Sequence, residues 1–444
     1  MVCRQPFEVA LNHLGGLAIV VFLMLGTTCR VPADEPRGGK SARIVAKTRP
    51  FDPEKLLRAF RGRREEARLK ALDEIERFHS DESRVASALW QAIEASYNGK
   101  QAPDSLLRAI RLYGQIDDDD DVPAHVVSLL SAADPRIVLA AIDILATRRP
   151  ATALGPLMKL REHPLYPVNY GLRHAVVSAV ARYDEAASVN FLVSAVASLD
   201  GQLKYVVAQH LTRLTGQNFG GRSEDWRRWW EGNQTGFRVV SASAATGSRA
   251  AGTLAHAAVD STPWDYDVPR FFNTPIYAKR LVFVIDISKS MLSSVDGVTR
   301  LDDAQQQLDG AIRGLPEDAW FEIIAYNESE HAYKGKLVQA TPVEKSGAIR
   351  FLYSLNAAGQ TNIYDTLANV LTVDPDLEAV LLLSDGDPNL GSIIDRATIV
   401  QRITQQNAVL RISIDTIGID AQGASAEFLK GLAAANFGQF RASR

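Results

Sequence analysis

Leu281-Val282-Phe283-Val284-Ile285-Asp286-Ile287-Ser288-Lys289-Ser290-Met291 decides the fold. Its first five residues are an unbroken apolar run, the pattern of a strand buried on both faces inside a parallel sheet. The run stops abruptly at Asp-x-Ser-x-Ser. Alternate residues in a turn just past a strand aim three oxygen groups at one point. That point lies beyond the carboxyl end of a parallel strand, where open α/β sheets place their ligands. Oxygen-only donors suit a hard divalent cation such as magnesium.

Two later stretches are able to complete such a site. Gly359-Gln360-Thr361-Asn362-Ile363-Tyr364-Asp365 offers a threonine hydroxyl in a loop, and Ala379-Val380-Leu381-Leu382-Leu383-Ser384-Asp385-Gly386-Asp387 is a second buried strand that runs into a carboxylate. In this order the three segments resemble a von Willebrand factor type A (VWA) domain with its metal-ion-dependent adhesion site. The family pattern, Asp-x-Ser-x-Ser, then Thr, then Asp, is matched by Asp286, Ser288, Ser290, Thr361 and Asp385. The resemblance extends from Thr274 to Arg444. It implies one Mg2+ or Mn2+ ion. Ser288 and Ser290 would bind it directly, Thr361 directly or through water, and Asp286 and Asp385 mostly through water and by orienting the hydroxyls. It also implies a protein partner that presents an acidic residue to the ion, and a site that binds rather than turns over. One position departs from the family: many members carry glycine where this chain has Lys289. Lysine does not take positive φ as cheaply as glycine. Its charge either points into solvent, the reading we favour, or sits near the metal.

Within this region strands and helices alternate, which gives an α/β, doubly wound, mostly parallel sheet. Strands are expected at Trp320–Ala325, Val380–Ser384 and Leu410–Gly418. Helices are expected at about 302–315, 343–355, 363–371, 392–405 and 424–435. His331–Val338 is expected as a short edge strand. Its connection is too short for a helical crossover, so it should pair antiparallel.

Upstream, residues 53–232 read as helical with an internal repeat. Leu112, Leu145, Val180 and Leu214 occupy equivalent places in four similar segments, spaced by 33, 35 and 34 residues. A steady period of that size marks a helical solenoid; it resembles HEAT repeats, with tetratricopeptide repeats or a plain bundle as the alternatives. Asp134-Pro135 reads as an N-cap followed by proline at the first helical position. Trp226, Trp229 and Trp230 share one helix face. They are expected to cap the end of the array, as a repeat stack requires, in preference to forming a binding platform. The run Asp117–Asp121 is read as a solvated turn, because Val122 and Ser128 stand where a calcium-binding EF-hand needs glycine and glutamate.

The chain has 444 residues, enough for two or three domains. Its net charge of -3 gives no case for nucleic acid. Both cysteines, Cys3 and Cys29, lie in the first thirty residues, so the body of the protein uses neither disulfides nor thiolate metal ligation. Leu14–Leu25 is uncharged and about twelve residues long, too short for a bilayer span but right for a signal h-region. With Val31-Pro32-Ala33 behind it, residues 1–33 are read as an export signal cleaved before Asp34. The expected location is periplasmic or extracellular, with no membrane span in the mature chain. A lipoprotein box at Cys29 and a retained N-terminal anchor are the alternatives. Residues 34–52 and 233–273 read as polar linkers; the aromatic end of the second, Trp264 to Asn273, is expected to pack on the α/β domain. The eight histidines show no zinc-ligand spacing. No P-loop, Gly-x-Ser-x-Gly or His-Glu-x-x-His occurs, and the chain is read as a non-enzyme. Two functions follow: a metal-dependent binding module with the helical repeats as a second interaction surface, or an accessory, chaperone-like subunit that loads or regulates a separate enzyme.

Overall fold

The structure is a computed structural model that describes residues 51–78, 83–97, 102–116, 121–239 and 268–443. Residues 1–33, expected as an export signal, most of the aspartate run and residues 240–267 of the expected second linker lie outside them.

The N-terminal half is a stacked helical array. Its helices are α1 (Pro53–Arg61), α2 (Glu65–Phe78), α3 (Ser83–Ser96), α4 (Asp104–Gly114), α5 (Val122–Ser128) and α6 (Pro135–Arg148). They continue with α7 (Leu154–Lys159), α8 (Tyr170–Val180), α9 (Ala186–Ser198), α10 (Gly201–Thr215) and α11 (Ser223–Asn233). Helices α4, α6, α8 and α10 form one row, each packed on the next. Leu112, Leu145, Val180 and Leu214 are all buried in the shared core. Asp134 caps α6 as its sequence suggests, accepting from the Arg136 backbone N–H at 2.9 Å. The period also appears in arginines at the ends of successive helices. Arg148 donates to the Gly114 carbonyl, Arg182 to Ala146 and Arg213 to Ala181. Each satisfies carbonyls that the preceding helix leaves unbonded at its C-terminus. Trp226 and Trp230 turn into the core, and their indole N–H groups donate to the Gly220 carbonyl and the Asn190 side chain. Phe237 packs edge-on against Trp229 and Trp230, so the array's packed part runs several residues past 232.

The C-terminal half opens with a small hairpin, β1 (Arg270–Phe271) and β2 (Thr274–Pro275). Phe271 is buried against Phe283, so the last residues before 274 belong to the α/β core. The main sheet contains β3 (Arg280–Asp286), β6 (Trp320–Tyr326), β7 (Glu330–Ala332), β8 (Val338–Gln339), β9 (Ala379–Ser384), β10 (Ser413–Ile419) and β11 (Phe440–Ser443). A second hairpin, β4 (Ser294–Val295) and β5 (Val298–Thr299), stands apart from it. The sheet order is β11-β10-β9-β3-β6-β7, and β8 also pairs with β6. All these pairings are parallel except those of β7 and β8. Strand β3 shows why an unbroken apolar run was needed. Leu281, Phe283 and Ile285 face α12 (Arg300–Gly314) and α13 (Pro342–Ser354). Val282 and Val284 face α14 (Ile363–Val370), α15 (Arg396–Leu410) and α16 (Gly423–Ala435). Both faces are core, so neither alternate set is polar.

Several boundaries differ from expectation for local reasons. The expected edge strand is two short ones, β7 and β8, separated by a turn with Gly335 at φ 72°. Helix α15 begins at Arg396, not Ser392, because Asp395 caps it through the Thr398 N–H. It runs on to Leu410, after which Arg411 turns left-handed at φ 57° and β10 begins only at Ser413. Among the described residues no helix is long and apolar enough to cross a membrane.

Candidate metal centre

Strand order places a topological switch beside β3: the chain leaves it for β6 on one side and later returns to β9 on the other. Crevices of this kind, at strand carboxyl ends, are where such sheets bind ligands. Asp286 ends β3 and Asp385 follows β9.

Asp286 is fully buried. Its Oδ1 accepts from the Ser288 backbone N–H at 2.8 Å, which bends the chain out of the strand. Its Oδ2 accepts from the Ser384 hydroxyl at 2.8 Å and from the Tyr326 hydroxyl at 3.4 Å. The turn continues as a short 3-10 segment, Lys289–Leu292. There the Ser288 and Ser290 hydroxyls lie 3.0 Å apart. Ser288 is buried and Ser290 exposed, so the pair runs from the floor of the site to its mouth.

The threonine loop is stapled to this turn through its backbone. Lys289 N–H donates to Gly359 O at 3.0 Å, and Ala358 N–H donates to Ile287 O at 2.8 Å. Gly359 supplies the φ of 78° that the loop needs. Thr361 is then held from the far side: its N–H donates to Asn389 Oδ1 at 2.8 Å, and its carbonyl accepts from the Asn389 and Leu390 N–H groups. Among the described residues no hydrogen bond engages the Thr361 hydroxyl itself.

The third element, Asp385, receives Arg300 Nη1 on Oδ2 at 2.9 Å. Burial lifts the Asp286 carboxyl to about 6, with the neighbouring Asp385 charge adding to it against the bonds from Ser288 and Ser384. Two carboxylates thus converge on one partly buried point with three hydroxyl residues around them. This donor set is oxygen-only and includes two carboxylates, one of them paired with Arg300, so its chemistry fits a hard cation. Among the described residues no three His, Cys, Asp or Glu side chains cluster to form a different kind of metal site. Lys289 is exposed and its backbone is not left-handed, so the absent glycine causes no strain.

All five motif residues therefore sit in one loop cluster. Ser384, Tyr326, Asn389 and Arg300 also shape it and were not singled out from sequence. Ser384 adjoins Asp385 and so had a signal, a hydroxyl at the end of a wholly apolar strand. Arg300 had none, because it reaches Asp385 across 85 residues of chain.

Comparison with known proteins agrees with this geometry. The von Willebrand factor type A domain profile matches residues 279–442. Inter-alpha-trypsin inhibitor heavy chain H2 of Mesocricetus auratus is 26% identical over 171 residues, 36% of this chain and 17% of that protein. Human inter-alpha-trypsin inhibitor heavy chain H3 is 29% identical over 128 residues, 26% of this chain and 14% of that protein. The chain thus spans under a fifth of the length of these relatives. Among solved structures, a von Willebrand factor type A protein from Catenulispora acidiphila aligns at 23% identity with a TM-score of 0.33, covering 38% of this chain and 40% of that one. By strand order, by the three converging loops and by the profile match, residues 279–442 are a von Willebrand factor type A domain, carried behind a helical array.

Proposed function

We propose that this chain is a metal-dependent protein-binding module. Asp286, Ser288, Ser290, Thr361 and Asp385 hold one Mg2+ or Mn2+ ion, which supplies an open coordination position for an acidic side chain of a partner protein. Asp286 anchors the turn and orients Ser288 through its N–H. Ser384 and Tyr326 hold the second Asp286 oxygen, and Asn389 holds the Thr361 backbone. The observation that carries the reading is the pairing of a buried Asp286, bonded to the Ser288 N–H, with a hydroxyl rim that opens to solvent at Ser290. Neutral hydroxyls as main donors leave a cation short of negative charge, so it takes a carboxylate from outside.

We read the chain as two domains, 53–232 and 274–444, with the helical array offering a second interaction surface, and as exported on the strength of Leu14–Leu25. The test is calorimetric titration of MgCl2 and MnCl2 into the chain and into Asp286→Ala, with partner capture repeated in chelator. Removing such an orienting group typically costs roughly 10–100-fold in metal affinity. The fold should survive, because the Val, Ile and Leu strands supply the core. Equal affinity in the variant, or no binding of either ion at millimolar concentration, sinks the reading.

A further inference from the structure

Arg300 is the first residue of α12, and its position is fixed from several sides. Its backbone N–H donates to Ser293 O at 2.9 Å. Its Nη1 donates to Asp385 Oδ2 at 2.9 Å and its Nε to Asp420 Oδ2 at 3.0 Å. The Ser290 carbonyl lies 3.5 Å from the same Nη1. The three charged side chains are mostly screened from water, at 22% exposure for Arg300, 10% for Asp385 and 25% for Asp420. Asp385 and Asp420 follow adjacent strands, β9 and β10, so one planar guanidinium spans two strand ends.

A staple holding α12 to the sheet would need only Asp420. Arg300 instead also engages a carboxylate of the five-residue cluster, and it touches the carbonyl of a second member, Ser290. A fixed positive charge is thereby placed a few ångströms from where the proposed ion would sit. We propose that Arg300 is the resident cation of this site: it neutralises Asp385 in the ion-free chain, and a divalent ion enters in competition with it. This rests on the reading of the cluster as a cation site. It makes Arg300 a positioning and affinity-setting residue, one that weakens ion binding while keeping the empty cluster electrostatically tolerable. Lys289, the cation that the sequence motif itself brings, does not do this, because it points to solvent.

The test compares the full chain with Arg300→Gln, Arg300→Lys and Asp420→Asn. Each is titrated calorimetrically with MgCl2 and MnCl2 alone, and melted in chelator and in excess MgCl2. Removing one unit charge a few ångströms from a divalent ion is worth on the order of tenfold in affinity even at water-like screening. Arg300→Gln should therefore bind both ions at least about tenfold tighter. It should also melt lower than the unaltered chain in chelator and gain more from MgCl2. Arg300→Lys keeps the charge but not the two-carboxylate fork, so it should bind the ions less tightly than Arg300→Gln. Asp420→Asn frees the guanidinium to pair with Asp385 alone, so ion affinity should stay the same or fall. If the unaltered chain binds neither ion while Arg300→Gln does, the metal-dependent function proposed above falls, and the competition by Arg300 stands. If the unaltered chain binds the ion and Arg300→Gln binds it equally or more weakly, Arg300 is only a staple. If Asp420→Asn tightens binding as Arg300→Gln does, the effect is mechanical and the charge argument fails. If no chain binds either ion, the cation-site reading falls and this proposal with it.

Discussion

At the scale of single residues, the cluster depends on groups that sit just outside the motif. Ser384 is fully buried at the end of β9. Its hydroxyl donates to Asp286 Oδ2 and accepts from the Gly386 N–H at 3.0 Å. One side chain thus orients the first carboxylate and sets the turn, with Gly386 at φ 107°, that carries the second. Ser384→Ala should cost about 1–3 kcal/mol in stability, since it leaves a buried carboxylate oxygen with a poorer partner. It should also lower Mg2+ affinity by roughly 10–100-fold, read by chemical denaturation and titration on the same preparation. Unchanged affinity would mean that Tyr326 alone suffices to hold Asp286. The five motif residues were legible in sequence because spacing and order identify them without any knowledge of the fold. Ser384 carried a local signal beside Asp385, but its role arises from register, since β9 beside β3 brings it to Asp286; Arg300 carried none, because α12 returns it to a strand end far along the chain.

At the scale of elements, what the sequence disclosed follows burial. Strands β3 and β9 are covered on both faces and so read as apolar runs, and β6 is interrupted by the buried Glu322 alone. Strand β11 was not expected, because Phe440-Arg-Ala-Ser lies at the sheet edge and need not be apolar. The β4–β5 hairpin was also missed, although Asp296-Gly297, at φ 53° and 82°, is a recognised two-residue hairpin turn. In the array the repeat was visible in Leu112, Leu145, Val180 and Leu214, whereas the arginine-to-carbonyl bonds between repeats needed the stacking itself to be seen. The terminal helix α11 offers a direct check. Trp226 is fully buried, packs edge-on to Phe219 and donates its indole N–H to Gly220 O. Trp226→Ala should destabilise the array by about 3–5 kcal/mol, the usual cost of deleting a buried aromatic. Thermal unfolding would record it, while Mg2+ titration at a temperature where the variant is folded should give the wild-type value. A loss below about 1 kcal/mol would show that α11 is peripheral to the core.

At the scale of the whole molecule, the array docks on the end of the sheet opposite the candidate metal site. Lys279, Glu378, Arg411 and Phe437 each precede a parallel strand, and each meets the array. Lys279 Nζ pairs with Asp200 at 2.6 Å, and Arg411 Nη2 with Asp143 at 2.5 Å. Tyr205 stacks on Tyr277 at 3.9 Å, and His174 meets Phe437 edge-on at 4.9 Å. The strands, roughly 20 Å long, hold this junction away from the loop cluster, so the array leaves the mouth at Ser290 open. Glu378 is the junction's most sensitive group. Its Oε2 accepts from Gln202 N–H at 2.9 Å and Lys279 N–H at 3.1 Å, tying the two halves through one carboxyl. Burial raises it from 4.5 to about 7, and the nearby Asp200 charge adds to this, against those two bonds and Arg173. The protonated form is therefore favoured in the folded chain relative to the unfolded one. The stability that Glu378 contributes is fully present below pH 4.5 and is lost as pH rises through 7. Glu378→Gln imitates the neutral form at every pH. As pH rises across that window, the difference in unfolding free energy between variant and wild type should move in the variant's favour by a few kcal/mol, on the order of 1.4 kcal/mol for each tenfold fall in proton concentration. His174 and His210, held down to about 3 and 4 by burial, produce the opposite slope on acidification, but they are common to both proteins and cancel in the difference. Denaturant unfolding at half-unit pH steps measures it, and parallel curves for the two proteins would place the Glu378 carboxyl outside the junction's energetics.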